Sequence, residues 1–213
     1  MAGTITALKF QQGNQERVNV YLDGEYAFGL EAVQAARLHK GQVLSEADIS
    51  ALKGQDERNR AFERAVRFLS YRPRSRREIE RYLRSKAVVA DVVDDVLARL
   101  EQAQYLDDEA FARFWVENRE QFRPRSQNAL RYELRQKGVS EEVITRVLGD
   151  LDEEAAAWQA IQGRLRRWAG LPADEFRRKA VDYLRRRGFD YDTISETLRK
   201  AVRMSIIEKE DEV

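Results

Sequence analysis

Arginine is the residue type in this chain with the most binding chemistry. Only 8 of the 38 basic residues are lysines, and the planar arginine fork grips phosphate or carboxylate bidentately and stacks on flat rings. Arg74, Arg77, Arg81 and Arg84 follow at spacings of three, four and three. On a helix this spacing aligns them as one stripe, where like charges repel unless acids or an anionic partner relieve them. The stripe therefore indicates a surface for a polyanionic or acidic partner.

The residue types needed for catalysis are scarce. The chain has no cysteine and one histidine, His39, which excludes thiolate zinc sites and histidine metal clusters. The spacing of Gly24 and Gly29 is followed by Leu-Glu where a phosphate loop has Lys-Ser/Thr. Carboxylates at 107–109 could hold Mg²⁺, but they precede a predicted helix and are interpreted as its cap. We predict a binding protein without catalytic residues, cofactor or metal.

The charges are segregated along the chain although the net charge is only +1. Three blocks are basic, with net charges of +8 over 58–86, +4 over 113–137 and +6 over 164–187, and acidic blocks at 91–109 and 140–154 separate them. Basic blocks are typical of nucleic-acid contacts. The structural alternative is a surface of ion pairs.

Composition favours a helical protein with a large solvated surface. Of the 213 residues 43% are hydrophobic and 35% charged, and the mean hydropathy is −0.66. No segment approaches the roughly 20 apolar residues of a membrane span, and the N-terminus lacks a signal-peptide core. We expect a soluble, cytoplasmic protein.

The first fifty residues carry strand signals. Apolar residues alternate on both sides of Asp23-Gly24, a two-residue turn sequence, which predicts a β-hairpin. A further strand around 4–10 is expected to pair with it. Ser45 with Asp48 resembles the start of a helix.

An internal repeat occupies the rest of the chain. Arg72-Pro73-Arg74-Ser75 recurs as Arg123-Pro124-Arg125-Ser126, a shift of 51, and apolar positions keep this register. A third copy follows at a shift near 50 without the Arg-Pro-Arg-Ser element. Each repeat is predicted to contain three helices.

Caps define the second helix of each repeat. Ser75 is expected to cap it, with Glu78 completing a capping box, and Gly138 or Gly188 to end it in a left-handed conformation. Ala87 breaks this pattern, so its cap is expected to be built another way. The tryptophans are interpreted as core residues. Tyr132 could stack on a base, but it is interpreted as a core or edge aromatic. The acidic C-terminus, 208–213, is expected to be frayed and solvated.

The chain resembles the RecX family of bacterial RecA regulators. The residues that carry the resemblance are Phe68-Leu69-Ser70-Tyr71-Arg72-Pro73-Arg74-Ser75 with Ile79, Leu83 and Lys86, then Tyr105-Leu106-Asp107-Asp108 through Phe111-Ala112, and Glu133-Leu134-Arg135-Gln136-Lys137-Gly138-Val139-Ser140. The resemblance spans 56–201. The Tyr21–Gly24 hairpin resembles the extension of longer members, whereas Ala87, Asn128 and Ala129 depart from the family pattern.

The resemblance implies a mainly α protein, an elongated array of three tandem three-helix repeats after a small β-hairpin-containing module. It implies a monomer that lies along the groove of the RecA–single-stranded DNA filament, inhibits its growth, ATP hydrolysis and strand exchange, and acts in DNA recombination, repair and the SOS response. The residues expected to contact the filament are Arg72, Arg74, Arg77, Arg81, Arg84, Lys86, Arg123, Arg125, Arg131, Arg135, Lys137, Arg185, Arg186 and Arg187.

The expected domains are 1–54, 55–106, 107–152 and 153–213, the last with the acidic tail. Two other functions stay open at this stage. The repeats could bind nucleic acid directly, without RecA, or act as a scaffold whose arginines pair with acidic protein surfaces.

Overall fold

The computed structural model describes residues 2–210, and over this range the chain forms four strands and ten helices. The strands are β1 (Gly3–Gln11), β2 (Asn14–Leu22), β3 (Glu25–Glu31) and β4 (Val43–Leu44). The helices are α1 (Ala32–Ala35), α2 (Glu46–Leu69), α3 (Arg76–Ser85), α4 (Ala90–Gln102), α5 (Asp108–Phe122), α6 (Gln127–Gln136), α7 (Glu141–Leu148), α8 (Glu153–Trp168), α9 (Ala173–Arg185) and α10 (Tyr191–Glu210).

The strands form one antiparallel sheet in the order β3-β2-β1-β4. Asp23 and Gly24 both have positive φ, 51° and 95°, as the tight hairpin turn between β2 and β3 requires. Alternate residues such as Val20 and Leu30 are buried on one face, where α1 and the start of α2 cover them. The predicted hairpin and its third strand are confirmed.

Helix α2 begins with a complete capping box between Ser45 and Asp48 and continues for 24 residues. The Arg17 guanidinium donates a 2.8 Å hydrogen bond to the buried Asp56 carboxylate, which attaches the middle of α2 to the sheet. Further along, α2 packs against α4, with Ala61 and Ala65 buried. The domain boundary predicted at residue 55 falls inside this helix, and a fragment starting there would leave Asp56 without Arg17.

The chain divides into two compact units, one of residues up to Tyr71 with Glu80–Tyr105, the other of Arg72–Ile79 with the chain from Leu106 onward. The second unit contains two apolar cores. One lies among α5, α6 and α7 and is centred on Phe111, Leu130 and Leu134, and the other lies among α8, α9 and α10. The predicted three-helix organisation is thus confirmed.

The acidic end of the chain was expected to be frayed. Residues 208–210 belong to α10, and 211–213 lie outside the described residues.

Candidate nucleic-acid interface

The repeated Arg-Pro-Arg-Ser motif attaches the start of one helix to the end of another. Ser75 and Ser126 are fully buried. The Ser75 hydroxyl donates to the Lys137 carbonyl at 2.6 Å and accepts from the Glu78 amide, while the Ser126 amide donates to the Arg187 carbonyl at 3.1 Å. We call residues 72–79 with Lys137 and Gly138 the first joint, and residues 123–129 with Arg187 and Gly188 the second joint.

Glycine is required at each joint for two reasons. Gly138 and Gly188 have φ of 82° and 90°, the left-handed conformation predicted for them. A Cβ added at Gly138 would lie 2.6 Å from the Arg77 Cβ, and one at Gly188 would lie 2.6 Å from the Ser126 Oγ. The glycines therefore end the helices and also let the preceding motif approach closely.

Ala87 occupies the corresponding position of the first repeat. The expectation that its cap is built differently is wrong, because Ala87 itself takes the left-handed conformation with φ 58°, at a cost of roughly 1 kcal/mol. This end of α3 borders a cavity of about 600 Å³ within the first unit. The charged residues lining the cavity are Arg17, Lys53, Asp56, Glu57, Arg60, Arg64 and Lys86.

Glu78 neutralises the cations of the first joint. Its carboxylate accepts two 3.1 Å hydrogen bonds from Arg72 and one of 2.7 Å from Lys137. Burial alone would raise the pKa of the Glu78 carboxyl, but these hydrogen bonds and charges outweigh it and hold the pKa below its ordinary value. Arg72 and Lys137 were predicted to contact a filament, yet both are engaged by an acid of the chain itself.

Glu133 has a similar role beside the second joint. It accepts from Arg119 at 2.8 Å and from the Trp115 indole at 2.7 Å, and it pairs with Arg125 at 3.1 Å. Trp115 is partly buried against the core between α5 and α7, and Lys137 lies 4.7 Å from its ring centroid. The three tryptophans pack against the cores as predicted.

Other predicted cations form ion pairs on the surface. Arg84 pairs with Glu80 at 2.8 Å, an i,i+4 pair. Arg131 and Arg135 both pair with Glu141, which holds its pKa below the ordinary value. The ion-pair explanation of the basic blocks is therefore correct for part of them.

The arginine stripe differs from its prediction. Arg74 precedes α3, which begins at Arg76, so only three members lie on the helix. The aliphatic part of Arg77 packs beside Gly138, and Arg84 is paired with Glu80. Arg81 is exposed.

Five of the arginines predicted to contact the filament are exposed and have no ion pair within the part of the chain that the structure describes. They are Arg77, Arg81, Arg123, Arg185 and Arg186. Arg187 is partly buried, with its guanidinium carbon 3.9 Å from the centroid of the Tyr183 ring. Lys86 is exposed at the end of α3, with its ammonium 5.7 Å from the Tyr82 centroid.

Exposed aromatic residues accompany the repeated motif. Tyr71 and Phe122 immediately precede its two copies, and 78% and 68% of their surfaces are exposed. Tyr132 is 64% exposed, so its prediction as a core or edge aromatic is wrong. Aromatic rings beside arginines can stack on unpaired bases. The repeated position of Tyr71 and Phe122 is visible in the sequence, but periodicity alone cannot tell an exposed ring from a core ring.

The carboxylates at 107–109 are structural. Asp107 caps α5 by accepting from the Glu109 and Ala110 amides, Asp108 accepts from the Arg76 amide, and Glu109 pairs with Arg113 and Arg146. The cap interpretation is confirmed. Among the described residues no group of histidine, cysteine or carboxylate side chains could hold a metal ion, and no helix is long and apolar enough to cross a membrane.

A strand module followed by three-helix repeats, with buried serines before two of the helices and with exposed arginines, defines a class of helical-repeat protein. Four family models match the chain: the RecX N-terminal domain over 3–45 and the first, second and third RecX three-helix domains over 61–100, 107–148 and 152–198. The chain belongs to the RecX family.

Relatives and solved structures agree with this assignment. The chain is 33% identical over 199 residues to the regulatory protein RecX of Bacillus subtilis, covering 91% of this chain and 75% of that protein. It is 32% identical to the protein of the same name from Bacillus pumilus, covering 98% and 81%. A crystal structure of a regulatory protein RecX matches with a TM-score of 0.71 at 27% identity, covering 92% and 99%. RecX from Lactobacillus salivarius shares the fold, with a TM-score of 0.60 at 19% identity over 69% of this chain and 97% of that one.

Proposed function

We propose that this protein regulates a RecA recombinase by binding along the groove of the RecA–single-stranded DNA filament, where it limits filament extension, ATP hydrolysis and strand exchange. The observation that carries the proposal is the match of all four RecX family domains in chain order. The protein acts as a monomer in the cytoplasm and hydrolyses no ATP itself.

The arrangement of charges supports a surface that contacts DNA phosphates. Intramolecular acids hold Arg72, Lys137, Arg131 and Arg135, whereas the exposed Arg123, Arg185 and Arg186 keep their charge available. A filament groove offers phosphates and protomer carboxylates along a line, and a repeat protein offers cations at regular intervals.

The test measures DNA-dependent ATP hydrolysis by RecA as this protein is added. We expect turnover to fall as the protein approaches stoichiometry with RecA, and the protein alone to release no phosphate. Unchanged turnover at stoichiometric excess would contradict the proposal.

The second candidate is direct nucleic-acid binding without RecA, favoured by the exposed rings of Tyr71 and Phe122 beside the arginine motifs. A salt titration of binding to bare single-stranded DNA, with and without RecA, separates the two. Tight binding to bare DNA combined with unaltered RecA turnover would favour the second candidate.

A further inference from the structure

The second joint brings several guanidinium groups together. The Arg187 carbonyl accepts from the Ser126 amide, which places residue 187 directly beside the Arg123–Arg125 segment. The Tyr183 ring lies 3.9 Å from the guanidinium carbon of Arg187 and 5.3 Å from that of Arg164. The Tyr183 ring thus contacts Arg164 of α8 and Arg187, which lies just beyond the end of α9.

The Arg187 guanidinium lies among other positive charges, those of the second joint and that of Arg164 in α8. Burial lowers the pKa of the Arg187 guanidinium, and the positive charges of Arg125, Arg164 and Arg123 lower it further. The Nε of Arg187 is buried without a hydrogen-bond partner among the described residues. A buried, unpaired donor beside like charges is unfavourable for the protein alone, and an anion would relieve it.

In the first joint, the cations at the equivalent positions are neutralised by an acid of the chain. There Arg72 and Lys137 share the Glu78 carboxylate. At the shifts of the repeat, Arg123 and Arg187 replace these two cations, but Ala129 replaces Glu78. The second joint has kept the cations and lacks the acid.

The acids near the second joint do not balance it. Glu153 is hydrogen-bonded to the Gln127 backbone of this joint, and it forms no ion pair within the described part of the chain. Glu133 pairs with Arg125 but also with Arg119, so its single charge is shared. Arg123 and Arg164 have no ion pair within the described part of the chain, and Arg187 contacts Tyr183. The joint therefore holds more than one uncompensated positive charge.

We propose that the second joint, together with Arg164 of α8, is a binding site for a phosphate group, formed by Arg123, Arg125, Arg164 and Arg187, in which the phosphate takes the place that the Glu78 carboxylate has in the first joint. A phosphate group can accept hydrogen bonds from several arginine guanidinium groups at once. A carboxylate is less suited to this, because it has only two oxygens and one negative charge. The proposal rests on the proposed function and deepens it by naming a phosphate of the DNA backbone as the ligand.

Phe122 favours DNA over free phosphate as the source of the group. Its exposed ring directly precedes Arg123, where a base next to the bound phosphate can stack on it. Free phosphate has no base that could stack on the Phe122 ring.

The decisive variant is Ala129→Glu, which gives the second joint the acid of the first. Residue 129 is the third residue of α6 and its amide already bonds the Ser126 hydroxyl, so glutamate suits the position as part of a capping box. The matched control is Ala155→Glu, which adds the same charge at the third residue of α8, where the amide bonds the Asp152 cap. Ala155 is exposed and lies nine residues, about 14 Å along the helix, from Arg164.

Two measurements test the site without RecA. The first is anisotropy of a labelled oligothymidylate, for which we expect Ala129→Glu to bind at least about tenfold more weakly than Ala155→Glu, with a smaller salt slope. The second is the rise in melting temperature on replacing chloride by inorganic phosphate at equal ionic strength, which Ala129→Glu should lose. Equal behaviour of the two variants in both measurements would overturn the site.

A second pair of variants tests the site in case Ala129→Glu does not fold. Arg164→Gln removes one member of the cluster, and Arg166→Gln removes an exposed arginine of the same helix as its control. We expect only Arg164→Gln to reduce oligothymidylate affinity. Equal affinity of these two variants would count against the site.

The outcomes also distinguish DNA from free phosphate as the ligand, and they distinguish failure of the phosphate site from failure of the proposed function. A difference in the phosphate measurement alone would overturn DNA as the ligand. Loss of RecA inhibition by Ala129→Glu, with both phosphate and DNA measurements unchanged, would assign the joint to a protein carboxylate and overturn the proposal. If the wild-type protein leaves RecA turnover untouched while the DNA difference persists, the proposed function fails and the phosphate site stands.

Discussion

The Ser75 hydroxyl donates a 2.6 Å hydrogen bond to the carbonyl of Lys137, 62 residues further along the chain. The hydroxyl also caps α3 by accepting from the Glu78 amide. A residue that sequence analysis interprets as a local cap is therefore also a long-range contact, and the corresponding Ser126 is equally buried.

Ser75→Ala should destabilise the protein by about 2–3 kcal/mol, because it removes a cap and leaves the partly buried Lys137 carbonyl without its donor. Ser140→Ala is the control, since Ser140 is an exposed cap of α7 and its loss should cost about 1 kcal/mol. Chemical denaturation measures both. A cost for Ser75→Ala no larger than that for Ser140→Ala would mean that the bond to Lys137 contributes nothing.

At the left-handed positions 138 and 87, exchanging glycine and alanine is predicted to change stability in opposite directions. Gly138→Ala should cost about 2 kcal/mol or more, because the methyl group meets the Arg77 side chain at a positive φ. Ala87→Gly should stabilise by up to about 1 kcal/mol, because it removes the same backbone strain and loses only some unfolded-state restriction. Thermal denaturation of the two variants checks both signs.

Local signals in the sequence predict much of this fold. Some signals determine the backbone conformation of only a few neighbouring residues, so the residue types alone indicate the turn or helix end. Examples are Asp23-Gly24, the Ser45 cap and the two left-handed glycines. The long-range features could not be obtained in this way. The left-handed Ala87 has no glycine to mark it, and the clustering of Arg164 with Arg187 depends on how α8 and α9 pack.

The sequence indicates less about the candidate site. It could identify the basic blocks but not which cations have acids nearby, because partners such as Glu78 and Lys137 are 59 residues apart. Comparing the repeats position by position would have revealed that Ala129 stands where Glu78 stands one repeat earlier.

The first joint should make stability depend on pH. The pKa of the Glu78 carboxyl is lowered in the folded protein, so its contribution is fully present above the ordinary value of 4.5 and is lost as the pH falls through the folded pKa. Glu78→Gln should cost about 1–3 kcal/mol at pH 7, and this difference from wild type should shrink below pH 4.5.

Urea denaturation of both proteins at pH 7, 5, 4 and 3 measures this difference. Other carboxyls with lowered pKa, such as Glu109 and Glu141, are present in both proteins and cancel. A difference that stays constant over this range would mean that the ionised Glu78 does not stabilise the joint.

Arg185 and Arg186 lie at the end of α9, and no ion pair holds them within the described residues. Replacing both with Gln should leave the fold intact, apart from about 0.3–1 kcal/mol for each lost charge at a helix C-terminus. If both contact DNA phosphates, affinity for the RecA–DNA filament should fall and the slope of log affinity against log salt should decrease by up to about 1.4.

The control is the pair Arg113→Gln and Arg146→Gln, since these two arginines neutralise Glu109. The control should change stability slightly and leave the salt slope unaltered, and equal slopes for the two double variants would place the DNA contacts on another basic surface.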